Sequence, residues 1–197
     1  MEKIDYAKEF ETIYNANIKR DGADKLLEYL KTTDFFKAPA STRFHGNFEG
    51  GLVEHSVKLY NRFVKMVESE EKYGKDFVTK NIESLTIIAL LHDVCKSNYY
   101  KNEKRNKKVD GKWIEVDAYA VEDTLPYGHG EKSVYIISGF MKLTREEAMA
   151  INWHMGAFDD RAKNNMNLLN KAFLMYPLAL LFHVSDYLVS YLDETTL

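Results

Sequence analysis

The segment A-L-L-H-D-V-C-K-S-N-Y-Y, residues 89–100, constrains this chain more than any other, because an apolar run ends there in adjacent ionisable groups. Leu85, Thr86, Ile87 and Ile88 lead into it, so the pattern predicts a helix over about 81–93, apolar nearly all round and therefore central. A buried carboxylate beside a buried imidazole costs several kcal/mol unless something pairs with them. Lys96 follows His92 by four residues and Asp93 by three, and so shares their face. One resolution is a buried Asp–Lys ion pair. The other is a metal ion off the helix end, where side chains about 100° apart converge.

The rest of the chain reads as helices around that segment. Residues 4–19 place Ile4, Ala7, Phe10, Ile13, Tyr14 and Ile18 near one stripe. A second short helix follows, with Asp21 as N-cap and Ala23, Leu26, Leu27 and Leu30 inward. Residues 33–51 read as an ordered loop whose Phe35, Phe36, Phe44 and Phe48 pack down. Helices are expected over 52–68, 130–141 and 144–154, the last opened by the capping box Thr144-x-x-Glu147. Residues 157–166 read as a polar loop, and a final helix begins near Pro177. Between the helices, Asp110-Gly111 and the alternating W-I-E-V-D predict a β-hairpin at about 99–122. The fold class is mostly α, a helical bundle with a small inserted β-hairpin.

At 197 residues and 45% hydrophobic composition, the chain has the core for one domain over 1–197. Net charge is −3, so no global basic field draws nucleic acid; any such contact is local. The single cysteine, Cys95, permits no intramolecular disulfide and fits a reducing, cytoplasmic setting. The charged start M-E-K-I-D-Y has no apolar signal core, and no run of about 18 apolar residues predicts a membrane span.

Further polar groups sit in apolar surroundings. His55 lies in the first turn of its helix, where the dipole disfavours imidazolium and favours a neutral, ligand-competent ring. It reads equally as a surface histidine. Asp186, inside L-L-F-H-V-S-D-Y-L-V, must find a cation or several donors. His183, three residues earlier, reads as an orienting group, a substrate contact or a satisfied core histidine. His129 stands between glycines at a helix start, and His154 ends a helix with Gly156 as C-cap; with Asp93 they form a candidate second site. His45, in R-F-H-G, reads as a substrate contact.

The ordered series His55, His92-Asp93, His129, His154 and Asp186 resembles the HD superfamily of metal-dependent phosphohydrolases. G-G-L-V-E-H-S-V is similar to the first motif of its bacterial 3′-to-5′ exoribonuclease branch, A-L-L-H-D-V-C-K to the usual L-L-H-D-I-G-K, and L-L-F-H-V-S-D-Y-L to the closing L-H-x-A-D. The likeness covers roughly residues 40–195, with helices in 1–31 packing on that HD core. It implies that His55, His92, Asp93 and Asp186 bind a first metal, that His129 and His154 bind a second with Asp93 bridging, and that Lys96 neutralises a phosphate. Two departures stand out: Cys95 replaces the usual glycine, narrowing the mouth of the site, and the OB domain of the exoribonucleases is absent.

Imidazole and carboxylate ligands suit Mn²⁺, Fe²⁺, Zn²⁺, Ni²⁺ or Mg²⁺, as one or two ions. The expected reaction is hydrolysis of a phosphate ester in a nucleotide or short single-stranded oligonucleotide, with Asp93 and Lys96 catalytic. Arg43, His45, Lys96, Tyr99 and His183 are the expected substrate contacts. The hairpin, with Tyr99, Tyr100, Lys101, Lys104, Arg105, Lys107 and Lys108, is the expected source of substrate choice, or else a solvated charged tip. Two other classes stay open, a di-iron oxygenase on the same ligand order and a non-catalytic nucleotide-binding module.

Overall fold

Two helices, α3 (Gly51–Ser69) and α4 (Gly74–Leu91), form the spine of the computed structural model, which describes residues 4–109 and 111–194. Residues Leu85 to Leu91 of α4 are all buried, so this helix is packed on every side. Its start at Gly74 is earlier than the expected 81, and Asn81 (φ −117°, ψ 16°) breaks the helical geometry where the apolar pattern begins. Its end is earlier too. Helical hydrogen bonding stops at Leu91, and Asp93 leads into a 3₁₀ turn, Val94–Lys96.

Two hydrophobic clusters flank the spine. On one side, α1 (Tyr6–Asn17) and α2 (Ala23–Thr32) bury Phe10, Tyr14, Leu26 and Leu30 against Leu52, Val53, Val57, Ile87 and Leu91. On the other, α9 (Pro177–Leu188) buries Leu178, Ala179 and Phe182 against Leu59, Phe63, Leu85 and Ile88. α5 (His129–Ser138) packs on the end of the spine and on α6 (Arg145–Asn152), which touches both α4 and α9; α7 (Asp160–Asn164) and α8 (Met166–Met175) follow, α8 packing back on α9. The polar site lies where the two clusters meet.

Several expectations are corrected. The N-cap of α2 is Gly22, not Asp21; its φ of +86° lies in the left-handed region that a side chain disfavours. In the loop over 33–51, Phe35 is buried, but Phe44 and Phe48 are 81% and 49% exposed. α5 stops at Ser138, and the expected polar loop over 157–166 contains α7. Pattern reasoning overlooked α7 because five residues carry no period, and it made no reading of α8.

The hairpin pairs β1 (Tyr100–Val109) with β2 (Lys112–Val121), antiparallel, from Tyr100 opposite Val121 to Val109 opposite Lys112. Asp110 of the expected turn lies outside the described residues. Among the described residues no single helix is long and apolar enough to cross a membrane; α8 with Pro177–Asp193 passes by composition only as a pair bent by 111°.

The capping box of α6 also ties the N-terminal helices down. Thr144 Oγ1 accepts from the Glu147 N–H at 3.2 Å, and Glu147 Oε2 accepts from the Thr144 N–H at 2.7 Å. The fully buried Glu147 carboxylate also receives Arg20 at 2.6 and 2.9 Å and the Ser84 hydroxyl at 2.6 Å. Burial pushes its pKa up, but these donors outweigh burial and hold it below the usual carboxylate range. The folded pKa is therefore depressed, so its stabilisation is complete above about pH 4.3 and fades as pH falls. Glu147→Ala leaves Arg20 without its main partner and is expected to lower unfolding free energy by about 3 kcal/mol at pH 7. Urea titrations should show this gap, and the gap should narrow below about pH 4.3.

Candidate metal centre

Helix ends position the histidines. The last turn of an α-helix has carbonyls with no intrahelical partner. His92 Nδ1 meets one of them, Ala89 O, at 2.9 Å, and His154 Nδ1 meets Ile151 O at 2.7 Å. A carbonyl only accepts, so each Nδ1 carries its proton and each Nε2 points into the site with a lone pair. One turn geometry thus aims two side chains.

His55, from α3, is held at both nitrogens. Its Nδ1 lies 3.0 Å from Glu194 Oε2 and its Nε2 3.3 Å from Asp186 Oδ1. His129 is the first residue of α5, and its Nε2 lies 2.8 Å from Asp93 Oδ1. That approach depends on Gly130: a Cβ there would sit 2.4 Å from Asn152 O, forcing α5 off the end of α6. His154 lies just beyond α6 rather than in its last turn, and Gly156 opens a short 3₁₀ turn, Gly156–Phe158, instead of capping that helix.

Asp93 is 3% exposed and divides its oxygens between two groups. Oδ2 faces Lys96 Nζ at 2.6 Å and His92 Nε2 at 3.2 Å. Oδ1 faces His129 Nε2 at 2.8 Å and His154 Nε2 at 3.5 Å. Donor atoms lie within 4.8 Å of one another in the groups His55–His92–Asp93, His92–His154–Asp186 and Asp93–His129–His154. The six residues singled out in the sequence as metal ligands are therefore brought together.

Electrostatics separate their roles. Burial opposes ionisation of Asp93, yet Lys96 and His92 hold its carboxyl well below the usual range. Asp186 is held low by His55 against the same burial. Burial lowers the pKa of His92 and of His129, keeping both rings neutral. His55 goes the other way: burial lowers it, but Asp186 and Glu194 raise it to about 10. The helix-dipole expectation of a neutral ring is thereby corrected, since two carboxylates outweigh a fraction of a dipole charge. A proton and a metal ion compete for the same Nε2.

The residues fit a divalent ion on one direct observation. The Nε2 atoms of His55 and His92 are fully buried and make no hydrogen bond among the described residues. Their nearby carboxylates lie within ion-pair distance but outside hydrogen-bond geometry. Unpartnered imidazole nitrogens facing ionised carboxylates are a donor set that could hold a borderline or hard cation, which at His55 would take the place of a proton.

The site opens into a cavity of about 820 Å³. Arg43, His45, Lys96, Tyr99 and His183, the expected substrate contacts, all line it. Arg43 is exposed and, among the described residues, makes no ion pair or hydrogen bond. His45 stacks 4.9 Å from His55, and burial together with the charges of His55 and Lys96 lowers its pKa to about 4. His183 Nδ1 meets His154 O at 2.6 Å, and its ring fills the space where Gly156 lacks a Cβ. Tyr99 also borders a second cavity of about 640 Å³, where its ring lies 4.8 Å from Lys132 Nζ.

Two expectations about this cavity change. Of the hairpin strands, only Tyr100 and Val121, at their base, line it. The basic residues run outward along the ribbon, and Lys101, Lys104 and Arg105 are paired with Glu122, Asp117 and Glu103. The hairpin beyond its base is thus a charged arm that does not line the cavity. Cys95 does not narrow the mouth. Its buried sulfur sits 3.6 Å from both ring nitrogens of His129, and burial pushes the thiol up to about 12.

Sequence reasoning missed Glu194 and the aromatic wall of Phe158, Tyr187 and Tyr191. Glu194 stands 139 positions from His55, and the only signal was its place just past an apolar helix. Tyr187 and Tyr191 sit four residues apart, a helical spacing that reads equally as core, and Phe158 lies in a separate 3₁₀ turn.

The HD domain family model matches residues 52–189, from the start of α3 to just past the end of α9. This chain belongs to the HD domain family. Dihydroneopterin 2′,3′-cyclic phosphate phosphodiesterase of Methanocaldococcus jannaschii is 41% identical over 69 residues, which are 34% of this chain and 26% of that relative. The match thus spans about a quarter of the relative's length. No solved structure matches the chain significantly.

Glu194 fixes the His55 ring as a carboxylate behind a metal-binding imidazole does. Glu194→Ala is expected to weaken binding of Mn²⁺ or Co²⁺ about 10- to 100-fold, with far-UV circular dichroism unchanged. Calorimetric titration of the metal-stripped protein measures this directly.

Proposed function

We propose that this chain is a metal-dependent phosphohydrolase acting on a small phosphodiester, a nucleotide or nucleotide-like cyclic phosphate. The observation that carries the reading is the buried cluster itself, with the Nε2 atoms of His55 and His92 lacking hydrogen-bond partners beside ionised Asp93 and Asp186. Family membership and the phosphodiesterase named above support it. On this reading His55, His92, Asp93 and Asp186 hold one ion, while Asp93, His129 and His154 hold a second. Such ions supply a water of lowered pKa and polarise phosphoryl oxygens.

The chain's own groups do the rest. Lys96 Nζ is fixed by Asp93 and by Ala40 O, each at 2.6 Å. Asp93 raises its pKa against burial, so it stays charged and offsets negative charge growing on the phosphate. His45 is neutral at pH 7 and hydrogen-bonds to substrate without adding charge. Arg43 is a second, unpaired cation at the mouth, suited to the phosphate of an incoming ligand. Tyr100, Phe158, Tyr187 and Tyr191 form flat apolar walls on which a heterocycle stacks. A cavity of about 820 Å³ suits a mononucleotide-sized ligand.

A single HD domain, its core in 40–195 buttressed by the helices of residues 1–31, is the organisation that goes with this proposal. A 2′,3′-cyclic nucleotide panel, with p-nitrophenyl phosphodiesters as generic substrates, tests it in Mn²⁺. Asp93→Asn and His92→Ala should each abolish both turnover and bound metal while leaving helicity in place. Arg43→Ala should raise KM about tenfold with little change in kcat, since a lost charge-assisted hydrogen bond is worth about 1.5–3 kcal/mol. Full activity of a metal-free His92→Ala protein would refute the proposal.

A further inference from the structure

The helix that carries Asp186 is apolar on both faces. Residues 176–192, Y-P-L-A-L-L-F-H-V-S-D-Y-L-V-S-Y-L, contain one charged side chain, Asp186, which turns inward to His55. One face of α9 is core, with Leu178, Ala179, Phe182 and Ser185 buried. The opposite face shows Leu180, Val184 and Tyr187, at i, i+4 and i+7, and the π-helical turn Val189–Asp193 that follows adds Tyr191; they are 42%, 37%, 45% and 60% exposed. Leu174 and Met175, at the corner between α8 and α9, extend the strip and are 83% and 59% exposed. A helix apolar all round is ordinarily buried on all sides.

We infer that this strip is the interface of a symmetric dimer, its occupant the same strip of a second copy. Two observations choose that occupant. The strip is uncharged along its whole length, so it has nothing to match with a charged partner, whereas an apolar face is complementary to itself about a two-fold axis. Its size also fits. With an aromatic side chain burying about 150–250 Å², these residues and Phe158, stacked on Tyr187, expose on the order of 800 Å², and a stable interface takes about 800 Å² from each partner. A lipid surface fits less well, because the other face of α9 is fixed in the core and Asp186 in the site. Tyr187 and Tyr191 also line the cavity, so the second copy would border its mouth.

Sedimentation velocity of the full chain from about 1 to 200 µM, a span around micromolar affinity, tests this. The expected result is a dimer in place of the 22.9 kDa monomer. Leu180→Glu combined with Val184→Glu should weaken association at least 100-fold, because like charges then meet across the axis. Both positions lie outside the cavity lining, so circular dichroism and metal content report whether the variant still folds. A wild-type protein that is monomeric at every concentration would overturn the inference. So would a double variant that folds and dimerises as tightly as wild type, or a monomer that co-sediments with phosphatidylcholine–phosphatidylglycerol vesicles.

Discussion

The desolvation of Asp93 is the constraint around which the rest of this structure is arranged. An ionised carboxylate removed from water must be compensated by charge and hydrogen bonds at close range. Here the compensation is divided between its oxygens, Lys96 and His92 on one side and His129 and His154 on the other. Three segments of the chain must converge for that to happen. The 3₁₀ turn that ends α4 brings in Lys96, the glycine-flanked start of α5 brings in His129, and the end of α6 brings in His154. The fold is in this sense a device for assembling partners around one side chain.

The same arrangement explains why the centre sits between two hydrophobic clusters and not inside either. Apolar packing of α1 and α2 on one side and α9 on the other fixes the spine helices, and the polar groups are gathered at the seam. The His92 ring packs 5.3 Å from Phe182, so apolar walls shield the site from water on its inner side. Low effective dielectric there strengthens each contact with Asp93 and Asp186. On the outer side the wall is aromatic and the mouth carries the unpaired Arg43.

Much of this was legible in the sequence, and the exceptions follow a pattern. The central helix, the capping box at Thr144, the start at Pro177 and the hairpin are local signals, and local signals suffice for them. Asp93 and Asp186 were conspicuous because a charge in an apolar helix has few innocent explanations. Glu194 was not, because its meaning depends on His55, 139 residues away. The hairpin lysines are the converse case: adjacency in sequence to Tyr99 and Tyr100 is not adjacency in space, since an extended strand carries each residue about 3.3 Å further from the site. Five-residue α7 had no period to read, and the N-cap of α2 depended on a backbone angle that only the fold reveals.

The central claim is that these distant residues surround a common cation. Anomalous X-ray diffraction at the zinc edge, from crystals grown with Zn²⁺, tests it without relying on any activity. The account predicts a peak about 2.0–2.2 Å from the Nε2 atoms of His55 and His92 and from carboxylate oxygens of Asp93 and Asp186. A map with no peak in this cluster, or with zinc bound only to surface residues, would contradict it.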